Sequence, residues 1–132
     1  MFAMSKTFLR CRECKKEYDS TFKYICDECF GPLDVHYNFP SITKDIFTNR
    51  EQTYWRYFEL LPIVNKSNIV SINAGMTPLV KAEKLGKKIG LNNLYVKNDS
   101  VNPTFSFKDR PAGVAISKAK EFGLSSVGCA ST

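Results

Sequence analysis

The chain has one histidine, seven glycines that never cluster, no long basic run and no long hydrophobic run. Each scarcity removes a class of function. His36 follows Cys29 by seven residues, too far for a compact ligand pair, and is expected as an ordinary surface or packing residue. Dispersed glycines leave no stretch whose backbone N–H groups converge on a phosphate. The apolar run Ile69-Val70-Ser71-Ile72 falls far short of the ~20 residues a spanning helix needs. Met1 to Arg12 has no apolar core ending in a small-residue cleavage site, which makes a cytoplasmic location the economical expectation. The net charge of +6 suits partners carrying phosphate or carboxylate, but without a basic run it does not select nucleic acid. What remains, 43% hydrophobic and 24% charged residues in 132, is an ordinary globular composition with room for a small module plus part of a larger domain.

Cysteine is concentrated. Cys11-Arg12-Glu13-Cys14 and Cys26-Asp27-Glu28-Cys29 are two Cys-x-x-Cys pairs separated by eleven residues. Each pair closes a knuckle presenting two thiolates, and two knuckles complete a tetrahedral shell around one ion. A redox dithiol would sit singly at a helix start in a βαβ setting, which is absent here. Residues 1–38 are therefore expected as a zinc ribbon. With four thiolate ligands and no open position, its metal is structural. Tyr18, Phe22, Tyr24 and Ile25 are expected to form a short hairpin, with Phe30-Gly31-Pro32-Leu33 turning out of the second knuckle.

Residues 39–70 read as a connector arm. Thr43 to Thr48 suits a short helix or turn. Tyr54 to Leu61 is aromatic and apolar, stopped by Pro62, with Trp55, Phe58 and Leu61 on one helical face. That face is expected to pack the ribbon against a larger body.

From Ser71 the texture becomes α/β. Gly75-Met76-Thr77-Pro78-Leu79-Val80 turns into an extended run. Ala82 to Ile89 is expected as a helix with Ala82, Leu85 and Ile89 inward and Gly90 as its cap. Leu94 to Lys97 reads as a strand, and a loop then leads to Lys108. A helix with Pro111 in its first turn and Ala112, Ala115 and Ala119 on its packing face runs to Phe122, capped by Gly123. Ser126 to Ala130 reads as a second strand. Strand, loop, helix, strand is one βαβ unit of a parallel sheet, so residues 71–132 are expected as the beginning of an α/β domain.

The segment Asn102-Pro103-Thr104-Phe105-Ser106-Phe107-Lys108-Asp109-Arg110 concentrates the chemistry. A lysine in a helix's first turn meets the positive end of the helix dipole, which favours the neutral, nucleophilic amine. Phe105 and Phe107 are expected to add desolvation in the same direction. Asp109 and Arg110 are expected to pair with each other. Taken alone, Lys108-Asp109-Arg110 reads first as a solvated, charged helix start, and only the order of the motifs reverses that.

The ordered motifs Gly75-Met76-Thr77-Pro78-Leu79, Asn102-Pro103-Thr104, Ser106-Phe107-Lys108-Asp109-Arg110 and Ala130-Ser131-Thr132 resemble those of the threonine synthases. These are pyridoxal-phosphate enzymes with the tryptophan-synthase-β type of fold. The arm from Trp55 to Pro62 and the cysteine ribbon are similar to features of prokaryotic members. The resemblance implies that Lys108 holds pyridoxal 5'-phosphate as an aldimine and moves protons on the substrate. It implies that Ser131 and Thr132 begin the loop holding the substrate carboxylate. The implied reaction, in threonine biosynthesis, converts O-phosphohomoserine and water to threonine and phosphate, by a carbon–oxygen lyase expected to be a homodimer at full length.

Two positions depart from the family pattern. Phe105 stands where these enzymes usually carry glycine, and Pro111 where a small residue follows the arginine. The glycine-asparagine pair and the phosphate loop would lie beyond Thr132, so the 132 residues are expected to be an N-terminal portion, inactive alone. A sister enzyme acting on O-phosphoserine, such as a cysteate synthase, shares these motifs. A non-enzymatic ribbon that binds protein or nucleic acid through Lys6, Arg10, Arg12, Lys15, Lys16 and Lys23 is the reading from a different class.

Overall fold

The structure, a computed structural model, describes residues 7–39 and 41–130. It begins with a three-stranded antiparallel sheet in the order β2-β1-β3: β1 (Thr7–Cys11), β2 (Glu17–Asp19) and β3 (Leu33–Tyr37). The first knuckle is the turn between β1 and β2, and the second lies between β2 and β3. The two knuckles repeat one backbone pattern. Cys11 N–H donates to Lys16 O and Lys15 N–H to Cys11 O, while Cys26 N–H donates to Gly31 O and Phe30 N–H to Cys26 O. Lys15 and Phe30, each directly after the second cysteine, both have φ near +60° (65° and 57°). That left-handed residue turns the chain back so that both sulfurs face inward.

Of the expected hairpin, Tyr18 lies in β2 and Ile25 bridges to Pro32, but Phe22 and Tyr24 are 67% and 78% exposed. With three short strands and two knuckles there is no interior large enough for those rings. The ribbon's buried residues, among those described, are Thr7, Leu9, Cys11, Cys26 and Gly31. His36 lies in β3, stacked on Phe8 (5.4 Å between ring centroids).

The arm forms the expected short helix, but its aromatic face packs on the body and not on the ribbon, and Leu61 lies just past the helical turn. The arm comprises α1 (Asp45–Thr48) and a 3-10 helix over Tyr54–Leu60. Tyr54, Trp55 and Phe58 are buried with Ile63 and Ala74, and Leu61, Ile69, Ile72 and Val114 pack around them. This is the principal core. It fastens the arm to the following body, whereas the ribbon docks elsewhere. Phe22 meets Phe122 edge-on (5.8 Å), and Lys118 Nζ reaches Ser20 Oγ at 3.5 Å.

The rest comprises β4 (Leu79–Lys81), α2 (Glu83–Ile89), β5 (Tyr95–Lys97) and α3 (Asp109–Glu121), with one-turn 3-10 helices at Lys66–Asn68 and Asp99–Val101. Here four expectations are corrected. β5 pairs antiparallel with β4, and no parallel pair forms among the described residues. Residues 126–130 are not a strand, because among the described residues no neighbouring strand pairs with them. On α2, Leu85 and Ile89 are half exposed and Gly86 is the buried residue. On α3 the buried positions are Asp109, Gly113, Ser117 and Ala119, while Ala112 and Ala115 face solvent. The 109-113-117 row has i, i+4 spacing, so the helix is rotated from the alanine face. The caps are as expected: Gly90 and Gly123 take φ of +76° and +72°.

α3 is stitched to the arm by side chains that include Ser117, Glu121 and Lys120, whose Nζ donates to Ser67 O at 3.0 Å. Ser117 Oγ accepts from Val70 N–H (2.9 Å) and donates to Gly113 O (2.7 Å). Glu121 accepts from the Val64 and Asn65 N–H groups at 2.9 and 3.0 Å. The helix that carries Lys108 at its start is therefore held along its length. Among the described residues no helix is long and apolar enough to cross a membrane.

Candidate functional site

The four knuckle cysteines converge. Their sulfurs all lie within 4.8 Å of one another, with Cys11–Cys29 at 3.4 Å and Cys14–Cys26 at 3.5 Å. A tetrahedron with zinc–sulfur arms of about 2.3 Å has edges of about 3.8 Å, so one ion fits this group. A disulfide needs about 2.05 Å, and all four are free thiols. Cys11 and Cys26 are fully buried, while Cys14 and Cys29 are exposed. The Tyr18 hydroxyl, 3.0 Å from the sulfur, is the main cause that brings the Cys26 thiol down to about 6. Cys14 is pushed up to about 12; the Lys16 backbone N–H lowers it, but Cys29, burial and the other two thiols outweigh that.

The basic cluster on the ribbon is already occupied. Arg10 pairs with Glu17, Arg12 with Asp34, Lys16 with Glu28 and Lys23 with Asp27. Lys15 Nζ donates to Arg12 O at 2.5 Å. Lys6 lies outside the described residues.

Lys108 is the N-cap of α3 and is exposed to solvent. Its backbone is fixed from both sides: its N–H donates to Ser106 Oγ (3.1 Å), and its carbonyl accepts from Ala112 N–H (3.0 Å). The preceding loop is tied down by Asp109, whose carboxylate accepts from the N–H (2.8 Å) and hydroxyl of Thr104. Asn102, 2% exposed, accepts from Gly75 N–H (2.9 Å) and donates to Asp99 O (3.0 Å), joining two sequence motifs.

Arg110 does not pair with Asp109. It forks onto Asp99 at 2.7 and 2.8 Å and touches Thr77 Oγ1 at 3.1 Å. Adjacent side chains on a helix point about 100° apart and cannot form a fork. Arg110 holds the Asp99 carboxyl down at about 2, with help from the Thr77 hydroxyl at 2.6 Å. Asp99, Thr77 and Asn102 are the supporting residues that the sequence reading did not assign. The only available signal was that Thr77 and Asn102 lie inside motifs already singled out.

Phe105 and Phe107 are 81% and 63% exposed, so neither supplies the expected desolvation. Phe105 has φ +57° and its N–H closes a turn onto Asn102 O at 2.8 Å. The loop thus keeps a left-handed backbone, the conformation glycine adopts freely, and the large side chain is turned out to solvent. A left-handed non-glycine residue costs about 1–2 kcal/mol, and glycine's extra chain entropy returns about half of that. Phe105→Gly should therefore raise the melting temperature by a few degrees, read by circular dichroism. An unchanged or lower midpoint would mean that the exposed ring contributes more than the strained backbone costs.

Pyridoxal phosphate needs an accessible primary amine on a rigid mount. Lys108 provides both, so the residues present fit the group at its amine-bearing end. Ser131 and Thr132 lie outside the described residues. The open groove beside α3, between Tyr57, Met76, Pro111 and Lys118, does not include Lys108.

Residues 70–132 match the family model for pyridoxal-phosphate dependent enzymes. The chain is 44% identical over 128 residues to a threonine synthase of Methanocaldococcus jannaschii, covering 93% of this chain and 31% of that protein. It is 43% identical over 127 residues to the threonine synthase of Methanosarcina acetivorans, covering 94% and 31%. Against that of Synechocystis it is 46% identical over 82 residues, covering 61% and 21%. The chain spans about a third of the length of the first two of these curated relatives. No solved structure matches it significantly.

Proposed function

From the premise that residues 70–132 belong to the pyridoxal-phosphate dependent enzymes, we propose that this chain is the part of a threonine synthase that carries the cofactor lysine and a structural zinc ribbon. The observation that carries the reading is the extent of the similarity. At 44% identity it covers 93% of the chain, and so runs through the cysteine ribbon as well as the lysine loop. The proposed reaction of the whole protein is conversion of O-phosphohomoserine and water to threonine and phosphate, in the cytoplasm, by a homodimer.

Lys108 would hold pyridoxal phosphate, which when bound supplies an electron sink for carbanion chemistry. The Lys108 side chain would also be the group that takes and returns protons on the substrate. Ser106 and Asp109 fix the backbone on either side of it, and the Arg110–Asp99–Thr77 network keeps the helix start in register with the Gly75–Leu79 segment. Ser131 and Thr132 are assigned to the substrate carboxylate. Cys11, Cys14, Cys26 and Cys29 are assigned to zinc, and the closed four-thiolate set makes that ion structural. The 132 residues alone are expected to hold cofactor weakly and release no phosphate.

The test is borohydride trapping. Pyridoxal phosphate is added, the lysine-bound form is reduced, and the modified peptide is mapped by mass spectrometry. The label is expected chiefly on Lys108, with the corresponding absorbance lost in Lys108→Ala. Labelling spread evenly over surface lysines would sink the assignment. In the protein of the relatives' length, phosphate release from O-phosphoserine and not O-phosphohomoserine would replace the substrate.

A further inference from the structure

Tyr18 has a place that its description as a hairpin residue does not explain. Its hydroxyl lies 3.0 Å from Cys26 Sγ and accepts a hydrogen bond from Asp27 N–H, also at 3.0 Å. A hydroxyl has one proton, and a metal-bound sulfur is a thiolate that can only accept. The proton therefore lies on the line from Tyr18 to Cys26. Cys26 receives a second donor, the Glu28 N–H at 3.4 Å, and is fully buried.

The ring of Tyr18 is flanked by two ammonium groups, Lys23 Nζ at 5.1 Å and Lys16 Nζ at 5.6 Å from its centroid. The same two lysines pair with the acidic residues inside the second knuckle, Lys23 with Asp27 at 2.6 Å and Lys16 with Glu28. Two cations near one ring draw on its π density and make its hydroxyl a stronger donor. The Asp-Glu pair between Cys26 and Cys29 is thus tied, through these lysines, to the ring whose hydroxyl reaches the first sulfur of that knuckle.

We propose that Tyr18 is a positioning residue of the metal centre: its hydroxyl hydrogen-bonds the Cys26 thiolate and makes Cys26 the anchored ligand. The inference rests on reading the four cysteines as a metal site. A hydrogen bond to a ligating sulfur fixes its orientation and lowers the energy of its lone pairs, and outer partners of this kind commonly change metal affinity 10–100-fold. Cys14 and Cys29, on the exposed side, are then the ligands that open first when the ion is lost or the thiols are attacked.

The test uses cobalt(II) as a spectroscopic substitute, titrated into the reduced chain and into Tyr18→Phe. The parent chain is expected to develop the intense visible bands of a tetrahedral thiolate site. Tyr18→Phe should keep their envelope, lose about tenfold or more in affinity in competition with a chelator, and shift its sulfur-to-cobalt charge-transfer band to lower energy. The band shift is what a purely structural role would not produce. An affinity loss with an unmoved band overturns the proposal, as does an unmoved affinity and band. If Tyr18→Phe fails to fold, Lys16→Met with Lys23→Met retains the hydroxyl and should shift the band in the same direction by less; no shift overturns the proposal. Absence of tetrahedral bands in the parent chain defeats the metal reading itself, a distinguishable result.

Discussion

Stripping metal from the chain with a strong chelator is expected to unfold residues 7–38 while the core around Trp55 stays folded. The ribbon buries Leu9, Cys11, Cys26 and Thr7, while Phe22, Tyr24 and Phe30 lie 67–78% exposed. So little buried apolar surface does not offset the ordering of about thirty residues, at 1–2 kcal/mol of backbone entropy each. Structural zinc contributes on the order of 10–16 kcal/mol in small metallo-domains, enough to reverse the balance. The ribbon meets the body through side chains such as Phe22 on Phe122 and Ser20 on Lys118. Hydrogen exchange resolves the two parts. The Cys11 and Cys26 amides, bonded to Lys16 O and Gly31 O, should be protected with metal and exchange freely without it. The Val70 amide, bonded to Ser117, should stay protected in both. Cys26→Ser should reproduce the chelated pattern. Ribbon amides that stay protected in reduced, metal-free protein would show that the strands hold themselves and that the cysteines are not a folding centre.

Gly113→Ala is expected to be a costly addition of one methyl group at the contact between the arm and α3. A Cβ built at Gly113 overlaps Tyr54 Oη and lies 3.4 Å from Tyr54 Cζ. The Tyr54 ring has little room to withdraw, since it is 8% exposed and packed at 4.5 Å on Trp55 within the principal core. Overpacking of a closed core costs about 1–3 kcal/mol, which shifts the midpoint of a domain this size by several degrees. The overlap is with one atom, which gives the prediction an internal control. Tyr54 Oη has no side-chain or backbone hydrogen-bond partner among the described residues, and burial pushes that phenol up to about 12. Tyr54→Phe removes the obstructing, unpartnered oxygen and should be neutral or slightly stabilising. The double variant should then recover much of the loss. Thermal melts of the four proteins in a double-mutant cycle measure the coupling. Additive effects would mean that the arm and α3 are not in the contact described.

Much of the chain was legible because the physics is local. A Cys-x-x-Cys knuckle closes within one turn, so the spacing of Cys11, Cys14, Cys26 and Cys29 was enough to gather four sulfurs. Gly90 and Gly123 end helices because the left-handed cap is a one-residue property. The loop into Lys108 was legible for a similar reason: Asn-Pro turns it, and Ser106 sits two residues ahead of the amide it caps. At Phe105 the turn takes a left-handed backbone that suits glycine, and the ring lies out in solvent.

What the sequence by itself determined about this protein is therefore the gathering of four thiols and the placing of Lys108 at a helix start. The tertiary structure alone decided the company they keep. Arg110 takes Asp99, eleven residues away, because its neighbour Asp109 points around the helix to Thr104. Tyr18 reaches Cys26 because β2 runs beside β1 and lies across from the second knuckle. The face that α3 buries follows Tyr54 and the arm rather than its alanines. β5 joins β4 antiparallel because strand pairing is settled by whichever backbone lies alongside, and no run of side chains encodes that choice.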